Sequence, residues 1–574
     1  MKLLLSFTTI FLLGISAMQA RQLTAEESLS RMHYAHAPQI KTMGRGRSLQ
    51  LAYTSEHDGT KRFYVFNQSD DSGFYILGAD DLIPAVLGYC DNGAFSADDM
   101  PDGLSAWLDI INAEIDISIA TETPLYSSTK SASRDDIPFL VTSLWGQGSE
   151  LLENPFYNDC PSYNGSKCLA GCTATAMAQL MYYWKYPQTG TGSHSYVTNS
   201  LHLSQSANFA TQYDWENMKD AYGYSSHNGS AMVSYTAYTA TEAEAVAKLM
   251  HDCGVATNMD YTPQGSSAYE FDMLYAMTHY FKYDLGMTLE DRIYYSDEEW
   301  VDMLYSELAA GRPLFFGAQN TSMRHAFIMD GYQSGYFHIN WGWDGTYNGY
   351  YAVLGSDALR PVAESPLGPQ EKDPLVYNQK VIIGLQPSVG TTEIPINFCI
   401  FGGYRITDVE GGGNVVTELE PGQGAYFSPL PNVTNCGCWN YSCDEVYVGV
   451  GAKFVDVQTG KAYYIRAYYD NGLYPFNIAG GYTSHDLSTR GLPEGTYRVY
   501  QAIFDRYGKW IDPKVPYGFD VPLLTIRSKA NGIANMNSPA GRTKDITTKR
   551  LNRDGQIVIE KNGSSFNAGG FIMQ

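Results

Sequence analysis

Residues 171–186 have the sequence GCTATAMAQLMYYWKY and are followed by Pro187. Gly171 permits a tight turn, and the alanine-, methionine- and aromatic-rich stretch after it predicts a helix that begins at Cys172. Free N–H groups and the dipole at a helix N-terminus favour thiolate over thiol and lower the pKa of a cysteine there. Cys172 is therefore a candidate nucleophile. The alternatives are a buried structural cysteine or a disulfide with Cys168.

A candidate base lies further along the chain. His325 precedes an apolar strand, Ala326 to Met329, which turns near Ser334 into a second predicted strand, Tyr336 to Trp341. Such a hairpin brings its two open ends together, so Asn340 could orient the imidazole of His325 through one ring N–H. The other ring nitrogen would then face the thiol.

Two other histidines compete for the role of base. His338 lies inside the second predicted strand, between Phe337 and Ile339, which favours a structural role. His194 is remote from any catalytic pattern.

The composition excludes one class of partner and suggests a compartment. There are 38 basic and 61 acidic side chains, a net charge of −23, which argues against a nucleic-acid partner because phosphate binding depends on Lys and Arg. Lys2, an apolar run from Leu3 to Ile15 and small residues ending at Ala20 are typical of a secretory signal cleaved near Ala20. A membrane anchor is the alternative, but a spanning helix needs roughly 20 apolar residues, and no later stretch is long enough either. We expect a protein that is secreted or held at the cell surface.

Nine cysteines follow this segment, and an odd number leaves at least one thiol unpaired. Candidate disulfides join Cys160 to Cys168 and two of Cys436, Cys438 and Cys443. Zinc binding by the last group is the alternative, although a nearby histidine and a second CxxC are missing.

The chain is too long for one hydrophobic core. After the signal, residues 21–130 form a predicted first unit, with strands at 62–66 and 74–77 and a helix whose apolar stripe includes Leu104, Trp107, Leu108, Ile111 and Ile115. A polar stretch between Pro124 and Pro138 has the composition of an exposed, cleavable linker.

The second predicted unit, residues 131–388, mixes helices and strands. One helix starts at a capping box of Thr241 and Glu244, buries Cys253 and stops at Gly254; another starts at Ser296 with Glu299 and ends at Gly311. Residues 314–316 are predicted to be a buried strand.

From about residue 389 the pattern changes to alternating segments punctuated by glycine, such as 445–450, 461–466 and 496–502. This predicts a β-sandwich over 389–527. The tail, 528–574, offers one short strand at 556–560, and disorder is the simpler interpretation beside a sorting role.

Several motifs, in order, resemble the streptopain family of bacterial cysteine peptidases. They are Trp145-Gly146-Gln147, residues 171–179, Met259-Asp260-Tyr261, His325-Ala326-Phe327 and Asn340-Trp341-Gly342-Trp343. The similarity covers nearly all of 131–388, and the first unit is similar, more weakly, to that family's inhibitory prodomain. The resemblance implies an α+β chain: a prodomain, a papain-like peptidase of two lobes with Cys172 and His325 facing across the cleft, and the β-sandwich.

The resemblance also implies roles for single residues. Gln147 matches the oxyanion-hole glutamine, and Trp341 matches a tryptophan beside the catalytic histidine, with plain core packing as its alternative. Ser267 and Arg324 align with positions that contact substrate. The family pattern has glycine at the position of Arg324 and also at that of Asp344, so specificity is in question more than chemistry.

We therefore expect a secreted cysteine endopeptidase made as an inactive precursor, acting on proteins or peptides, inhibited by its own prodomain and needing no metal or organic cofactor. A catalytically silent binding protein, and an acyl transferase or amidase on the same fold, are the alternatives.

Overall fold

The computed structural model describes most of the chain: residues 21–34, 48–68, 72–127, 134–226, 234–319, 324–355, 379–401, 403–408, 413–430, 436–469, 478–479, 487–528, 547–551, 557–561 and 564–567. The predicted signal (1–20) and residues 128–133 of the predicted linker lie outside these ranges. Residues up to Arg527 form one compact unit, and Ser528–Gln574 form a second.

Among its described residues, the N-terminal segment (21–127) has two α-helices and five strands. They are α1 (Ala25–Tyr34), β1 (Leu49–His57), β2 (Thr60–Gln68), β3 (Phe74–Gly78), β4 (Val86–Cys90), α2 (Asp102–Thr121) and β5 (Tyr126–Ser127). Every residue of β3 and β4 is buried, because this sheet is covered on both faces. The predicted strands and the predicted apolar stripe of α2 are confirmed.

In the described residues of the central segment, 134–388, there are four α-helices and thirteen strands. The helices are α3 (Cys172–Trp184), α4 (Ala240–Ala256), α5 (Glu270–His279) and α6 (Asp297–Ala309). The strands are β6 (Ser162–Tyr163), β7 (Ser166–Lys167), β8 (Ser193–Val197), β9 (Ser204–Asn208), β10 (Gly223–Ser225), β11 (Ser234–Thr236), β12 (Thr288–Asp291), β13 (Leu314–Gln319), β14 (Arg324–Gln333), β15 (Tyr336–Asn340), β16 (Gly349–Tyr351), β17 (Leu354–Gly355) and β18 (Gln379–Ile383). None of the helices in the ranges given above is both long and apolar enough to cross a bilayer.

The sequence predicted a capping box at the start of two helices, and one of the two predictions is correct. The capping box of Ser296 and Glu299 before α6 is confirmed. The one predicted for α4 is wrong by two residues, because Thr239 and Glu242 form the box and the helix runs past Gly254 to Ala256.

A ten-stranded antiparallel sheet joins the N-terminal and central segments, in the order β1-β2-β3-β4-β16-β15-β14-β13-β18-β12. The joint is the pairing of β4 with β16 through Tyr89 with Tyr350 and Gly88 with Tyr351.

Two hydrophobic cores lie on opposite faces of this sheet. Along β14, Ala326 and Ile328 belong to the core formed with α3, α4 and α5. Phe327 and Met329, which alternate with them, belong to a core shared with α2 and the N-terminal strands. Residues of the N-terminal and central segments therefore share one core.

The C-terminal region up to Arg527 is built from strands around a third core, which confirms the α+β class with a strand-rich C-terminal part. The strands are β19 (Phe398–Phe401), β20 (Tyr404–Thr407), β21 (Glu418–Leu419), β22 (Tyr426–Pro429), β23 (Gly437–Asn440), β24 (Val448–Asp456), β25 (Ala462–Tyr469), β26 (Ile478–Ala479), β27 (Gly495–Asp505), β28 (Trp510–Ile511) and β29 (Leu523–Ile526). They form sheets of three, two and six strands.

The described residues of the second unit form three antiparallel strands, β30 (Thr547–Leu551), β31 (Ile557–Lys561) and β32 (Ser564–Asn567). The sequence predicted only the middle strand.

Candidate active site

Cys172 is the first residue of α3, as predicted, and it is buried. Gly171 adopts φ 89°, and a β-carbon there would lie 2.6 Å from Met259 Sδ and 3.0 Å from the Ser266 carbonyl oxygen. Only glycine fits this turn without strain, so the local sequence fixes where α3 begins and hence where the thiol lies.

His325 is the second residue of β14 and pairs with Ala318 of β13. Its ring is 3% exposed, and its Nε2 lies 3.4 Å from the Trp341 carbonyl oxygen. The ring also forms a hydrogen bond with the Cys172 thiol. The structure thus brings together the candidate nucleophile and the candidate base.

The two groups shift each other's ionisation in opposite directions. Burial favours the neutral thiol, but the charge and hydrogen bond of His325, together with the Ala326 N–H, outweigh burial and lower the pKa of Cys172. Burial also acts against the imidazolium, but Cys172, the Trp341 carbonyl and the charge of Asp102 raise the pKa of His325. Each group thus favours the charged form of the other.

Asn340 does not contact His325 in the way the sequence suggested. Its Nδ2 donates to the Ser143 carbonyl oxygen (2.9 Å) and to Gln179 Oε1 (3.2 Å), and its Oδ1 accepts from the Gly342 N–H (3.0 Å). The register explains the difference: Asn340 pairs with Ile328, three residues from His325, and therefore lies on the opposite face of the sheet.

Trp341 provides its main-chain carbonyl to His325, while its indole is fully buried. Nε1 donates to the Tyr347 carbonyl oxygen at 2.9 Å, and the ring packs against Phe327 and Tyr351 with centroids 5.0 and 5.2 Å away. Trp341 therefore lies beside the histidine, as the resemblance implied, and its indole is also packed in the core.

Gln147 lies in a segment whose main chain contacts the residues just before Cys172. Its side chain is 8% exposed, and its carbonyl oxygen accepts from the Ala170 N–H at 2.9 Å. The preceding carbonyl, that of Gly146, accepts from the Thr175 hydroxyl on α3 at 3.4 Å. These contacts hold the backbone of Gln147 against the start of the nucleophile helix.

Gln179 is a buried residue of α3 to which the sequence assigned no role. Its Oε1 accepts from Ser143 Oγ (2.9 Å), the Trp145 N–H (3.2 Å) and Asn340 Nδ2 (3.2 Å). The side chain thereby connects α3, the Gln147 segment and the end of β15. A glutamine among the apolar alanine and methionine residues of this helix is the feature of the sequence that could have predicted a buried polar contact.

Two residues, Ser267 and Arg324, were predicted to contact substrate. Ser267 is exposed and pairs with Asp260, and its neighbours contact the start of α3, because Ala268 accepts from the Thr173 hydroxyl at 3.2 Å. Arg324 begins β14 and pairs with Gln319, but its side chain lies outside the described part of the structure.

Asp344 is fully buried and adopts φ 51°. Burial raises the pKa of Asp344 to about 7, opposed by a hydrogen bond from Asn154. Asn154 Nδ2 donates to Asp344 Oδ1 at 3.1 Å, and a β-carbon on Gly146 would collide with the carboxylate.

The first turn of α2 covers the histidine. A β-carbon on Gly103 would lie 2.5 Å from Cδ2 and 2.8 Å from Nε2 of His325, and 2.9 Å from the indole of Trp341. The sequence did not predict this contact, because the two residues belong to separate segments.

The competing residues have structural partners. His338 Nδ1 lies 2.6 Å from Asp330 Oδ1, and its ring stacks on Phe139. His194 Nε2 lies 2.7 Å from Asn258 Oδ1.

All nine cysteines are free and buried, so the candidate disulfides are not formed. No group of three or more His, Cys, Asp or Glu side chains within the described ranges is arranged to hold a metal ion.

Comparison with known sequences gives two family matches. Residues 145–351 match the peptidase C10 family, and residues 15–115 match the Spi protease inhibitor family. The first match contains Cys172 and His325, and the second contains the start of α2.

Individual relatives agree with these matches. The chain is 28% identical over 400 residues to the thiol protease/hemagglutinin PrtT of Porphyromonas gingivalis, covering 66% of this chain and 43% of that protein. It is 28% identical over 316 residues to streptopain of Streptococcus pyogenes, covering 52% of this chain and 75% of streptopain.

Two solved structures are also similar. A prointerpain A fragment from Prevotella intermedia is 32% identical, with 59% of this chain and 99% of that chain covered and a TM-score of 0.48. Active interpain A is 34% identical, with 44% and 95% covered and a TM-score of 0.34. The chain therefore carries a domain of the peptidase C10 family, the streptopain-like cysteine peptidases, at residues 145–351, with an Spi-type inhibitor segment in front of it.

Proposed function

We propose that this protein is a secreted cysteine endopeptidase that is made as an inactive precursor and cleaves peptide bonds in proteins. The observation that carries the proposal is the contact between Cys172 and His325, which lowers the pKa of the thiol and raises that of the imidazole. A thiolate at the start of a helix beside an imidazolium is the pair needed for nucleophilic attack on a carbonyl.

In the proposed reaction the Cys172 thiolate attacks the scissile carbonyl carbon and forms a tetrahedral intermediate. The N–H of Cys172 and the amide of Gln147 would donate to the oxyanion, and losing one such donor costs about 2.7 to 4 kcal/mol of barrier. His325 then gives its proton to the leaving amine, and the C–N bond breaks.

The acyl group is next transferred from sulfur to water. Neutral His325 takes a proton from the attacking water, the second tetrahedral intermediate collapses, and the acid product leaves the regenerated thiolate and imidazolium pair. The Trp341 carbonyl, 3.4 Å from Nε2, would hold the ring through both steps. Every proton transfer is assigned to protein groups and water.

The precursor would consist of a signal (1–20), an inhibitory prodomain (21–130), the peptidase (131–388), the β-sandwich (389–527) and the tail (528–574). Three observations support inhibition by the prodomain: Gly103 lies against His325, β4 extends the peptidase sheet, and both segments share one core. Activation would follow a cut near Lys130 or Arg134. Since Arg134 forms an ion pair with Asp302 and is 10% exposed, a cut before Arg134 is the better fit.

Export rests on the composition of residues 1–20. Inhibition by an attached prodomain fits an exported enzyme, because it keeps the peptidase silent until it has left the cell.

The test is to express residues 21–574 and compare Cys172→Ala with Cys168→Ala. Cys168 is also buried and four residues away, but burial raises the pKa of its thiol. We expect Cys168→Ala to process its linker, digest denatured protein and react with a thiol reagent at neutral pH, and Cys172→Ala to do none of these. If Cys172→Ala matures and digests protein like the parent, the nucleophile is wrong.

Mass spectrometry of the products separates the alternatives. Hydrolysed peptide bonds identify a peptidase, new amide or isopeptide bonds identify a transferase, and unchanged substrate with an intact thiol identifies a binding protein.

A further inference from the structure

Asp344 lies where two parts of the active site meet. It follows Trp341, whose carbonyl oxygen is 3.4 Å from His325 Nε2, and its carboxylate lies directly on the main chain of Gly146, the residue before Gln147. No side chain could occupy position 146 while the carboxylate stays in place. This contact joins the segment that holds the base to the segment that holds the proposed oxyanion donor.

A second contact fixes the far end of the Gln147 segment. Asn154 donates through Nδ2 to Asp344 Oδ1 at 3.1 Å, and its own Oδ1 accepts from the Ser149 N–H at 3.0 Å. Asp344 therefore restrains Gly146 directly and Ser149 through Asn154. Gln147 lies between these two restraints, and Asn154 is itself only 5% exposed.

The main chain around Asp344 is anchored independently of its side chain. The Asp344 carbonyl oxygen accepts from the Ser226 N–H at 2.8 Å. The φ of 51° is a left-handed conformation in which a residue with a β-carbon is less stable than glycine. A strained, buried aspartate at a position that suits glycine indicates that the carboxylate has a task the main chain does not perform.

We propose that Asp344 is a positioning residue for catalysis, which holds Gln147 in the geometry needed to donate to the oxyanion. The inference rests on the proposed function, because it assumes that Gln147 stabilises the tetrahedral intermediate. Asp344 touches neither the thiol nor the substrate in this role. It acts through Gly146 and Asn154.

The position allows a test in which folding does not limit the interpretation. Asp344→Gly removes the carboxylate and also relieves the left-handed backbone, so the main chain loses no stability there. Asp344→Asn keeps an oxygen that accepts from Asn154, with nearly the same volume. We therefore expect kcat to fall in Asp344→Gly and to remain mostly unchanged in Asp344→Asn.

We would measure kcat and KM for the mature enzyme carrying Asp344→Gly, Asp344→Asn, Gln147→Ala and the double substitution of Asp344→Gly with Gln147→Ala. Loss of an oxyanion donor lowers kcat by about 100- to 1000-fold, so a misplaced donor should lower it by at least about tenfold with little change in KM. In the Gln147→Ala background the glycine substitution should have almost no further effect. The rate of Cys172 alkylation by iodoacetamide should stay unchanged, since the thiolate is not involved.

Three results would overturn the inference. Unchanged kcat in Asp344→Gly, together with a loss in Gln147→Ala, removes the role of Asp344 alone. Equal losses from Asp344→Gly with and without Gln147 show that the two residues act independently. An unchanged kcat in Gln147→Ala removes the oxyanion assignment and this inference with it, while loss of activity in Cys172→Ala still upholds the peptidase.

Discussion

Gly103, in the first turn of α2, lies against the imidazole of His325, so that a β-carbon at position 103 would be 2.8 Å from Nε2. The contact joins the inhibitor-type segment to the proposed base. It requires a residue without a side chain, because the ring and the indole of Trp341 both face the Cα of Gly103.

Gly103→Ala should therefore weaken inhibition in the precursor. Overpacking of this kind costs typically 1 to 3 kcal/mol, which corresponds to a roughly 5- to 150-fold loss of affinity between the two segments. The measurement is the rate at which a thiol reagent labels Cys172 in an uncut precursor whose linker carries no basic residue. Glu122→Ala, at the exposed position that follows the last residue of the same helix, is the control. Equal labelling rates in both variants would show that Gly103 does not inhibit.

The pH dependence of thiol reactivity should follow from the paired pKa shifts. The lowered pKa of Cys172 and the raised pKa of His325 widen the pH range in which thiolate and imidazolium coexist. Activity should rise with pH as the thiol ionises and fall at higher pH as the imidazolium loses its proton. In His325→Ala the opposing charge is gone and burial raises the thiol pKa, so the midpoint of iodoacetamide alkylation should move to higher pH. An unmoved midpoint would separate His325 from the thiolate.

Asn340→Ala should affect stability more than ionisation. The substitution removes the buried side-chain partner of the Ser143 carbonyl and of the Gly342 N–H, and one of the three donors to Gln179 Oε1, which costs about 1 to 3 kcal/mol in the free energy of unfolding. Since Asn340 faces away from His325, the alkylation midpoint of Cys172 should not change. Denaturant unfolding and the alkylation profile measure the two effects. A shifted midpoint at unchanged stability would restore Asn340 as the residue that orients the histidine.

Glu114→Ala should loosen the inhibitor segment from the peptidase. Glu114 on α2 lies 3.8 Å from Arg292, and both side chains are buried, as is Asp297, which accepts from Arg292 at 2.9 Å. Removing one member of a buried ionic cluster costs about 3 to 5 kcal/mol. The precursor should unfold at lower denaturant concentration and label faster at Cys172. Glu122→Ala, exposed beyond the end of α2, should change neither.

Local chemistry predicted a good part of the fold. Gly171 determines where α3 begins because only glycine fits its turn. The capping box at Ser296 determines where α6 begins because Ser296 and Glu299 satisfy N–H groups at the helix terminus. Residues 239–244, TATEAE, contain two overlapping capping boxes, and the pattern alone does not choose between them. The structure contains the earlier one, formed by Thr239 and Glu242.

The site was predicted less completely for a geometric reason. Hairpin connectivity brings Asn340 near His325, but their faces depend on an exact register, which includes an irregularity between Met329 and Gly331. A shift of one residue reverses the face of every side chain. Asp344 contacts Gly146, and Gly103 contacts His325. Each contact joins segments that are far apart in the sequence, and no periodic pattern in a single sequence predicts such a contact.

The N-terminal and central segments share one hydrophobic core. Cleavage of the linker and release of the N-terminal segment are therefore two separate events in maturation. Cutting the chain before Arg134 breaks one covalent link but leaves α2, the strands β1–β4 of the ten-stranded sheet and their apolar contacts in place. The severed piece must still detach, exposing apolar surface to water as it does so. Proteolytic activity should consequently appear after a lag, in which the polypeptide is already in two pieces and the enzyme is still silent.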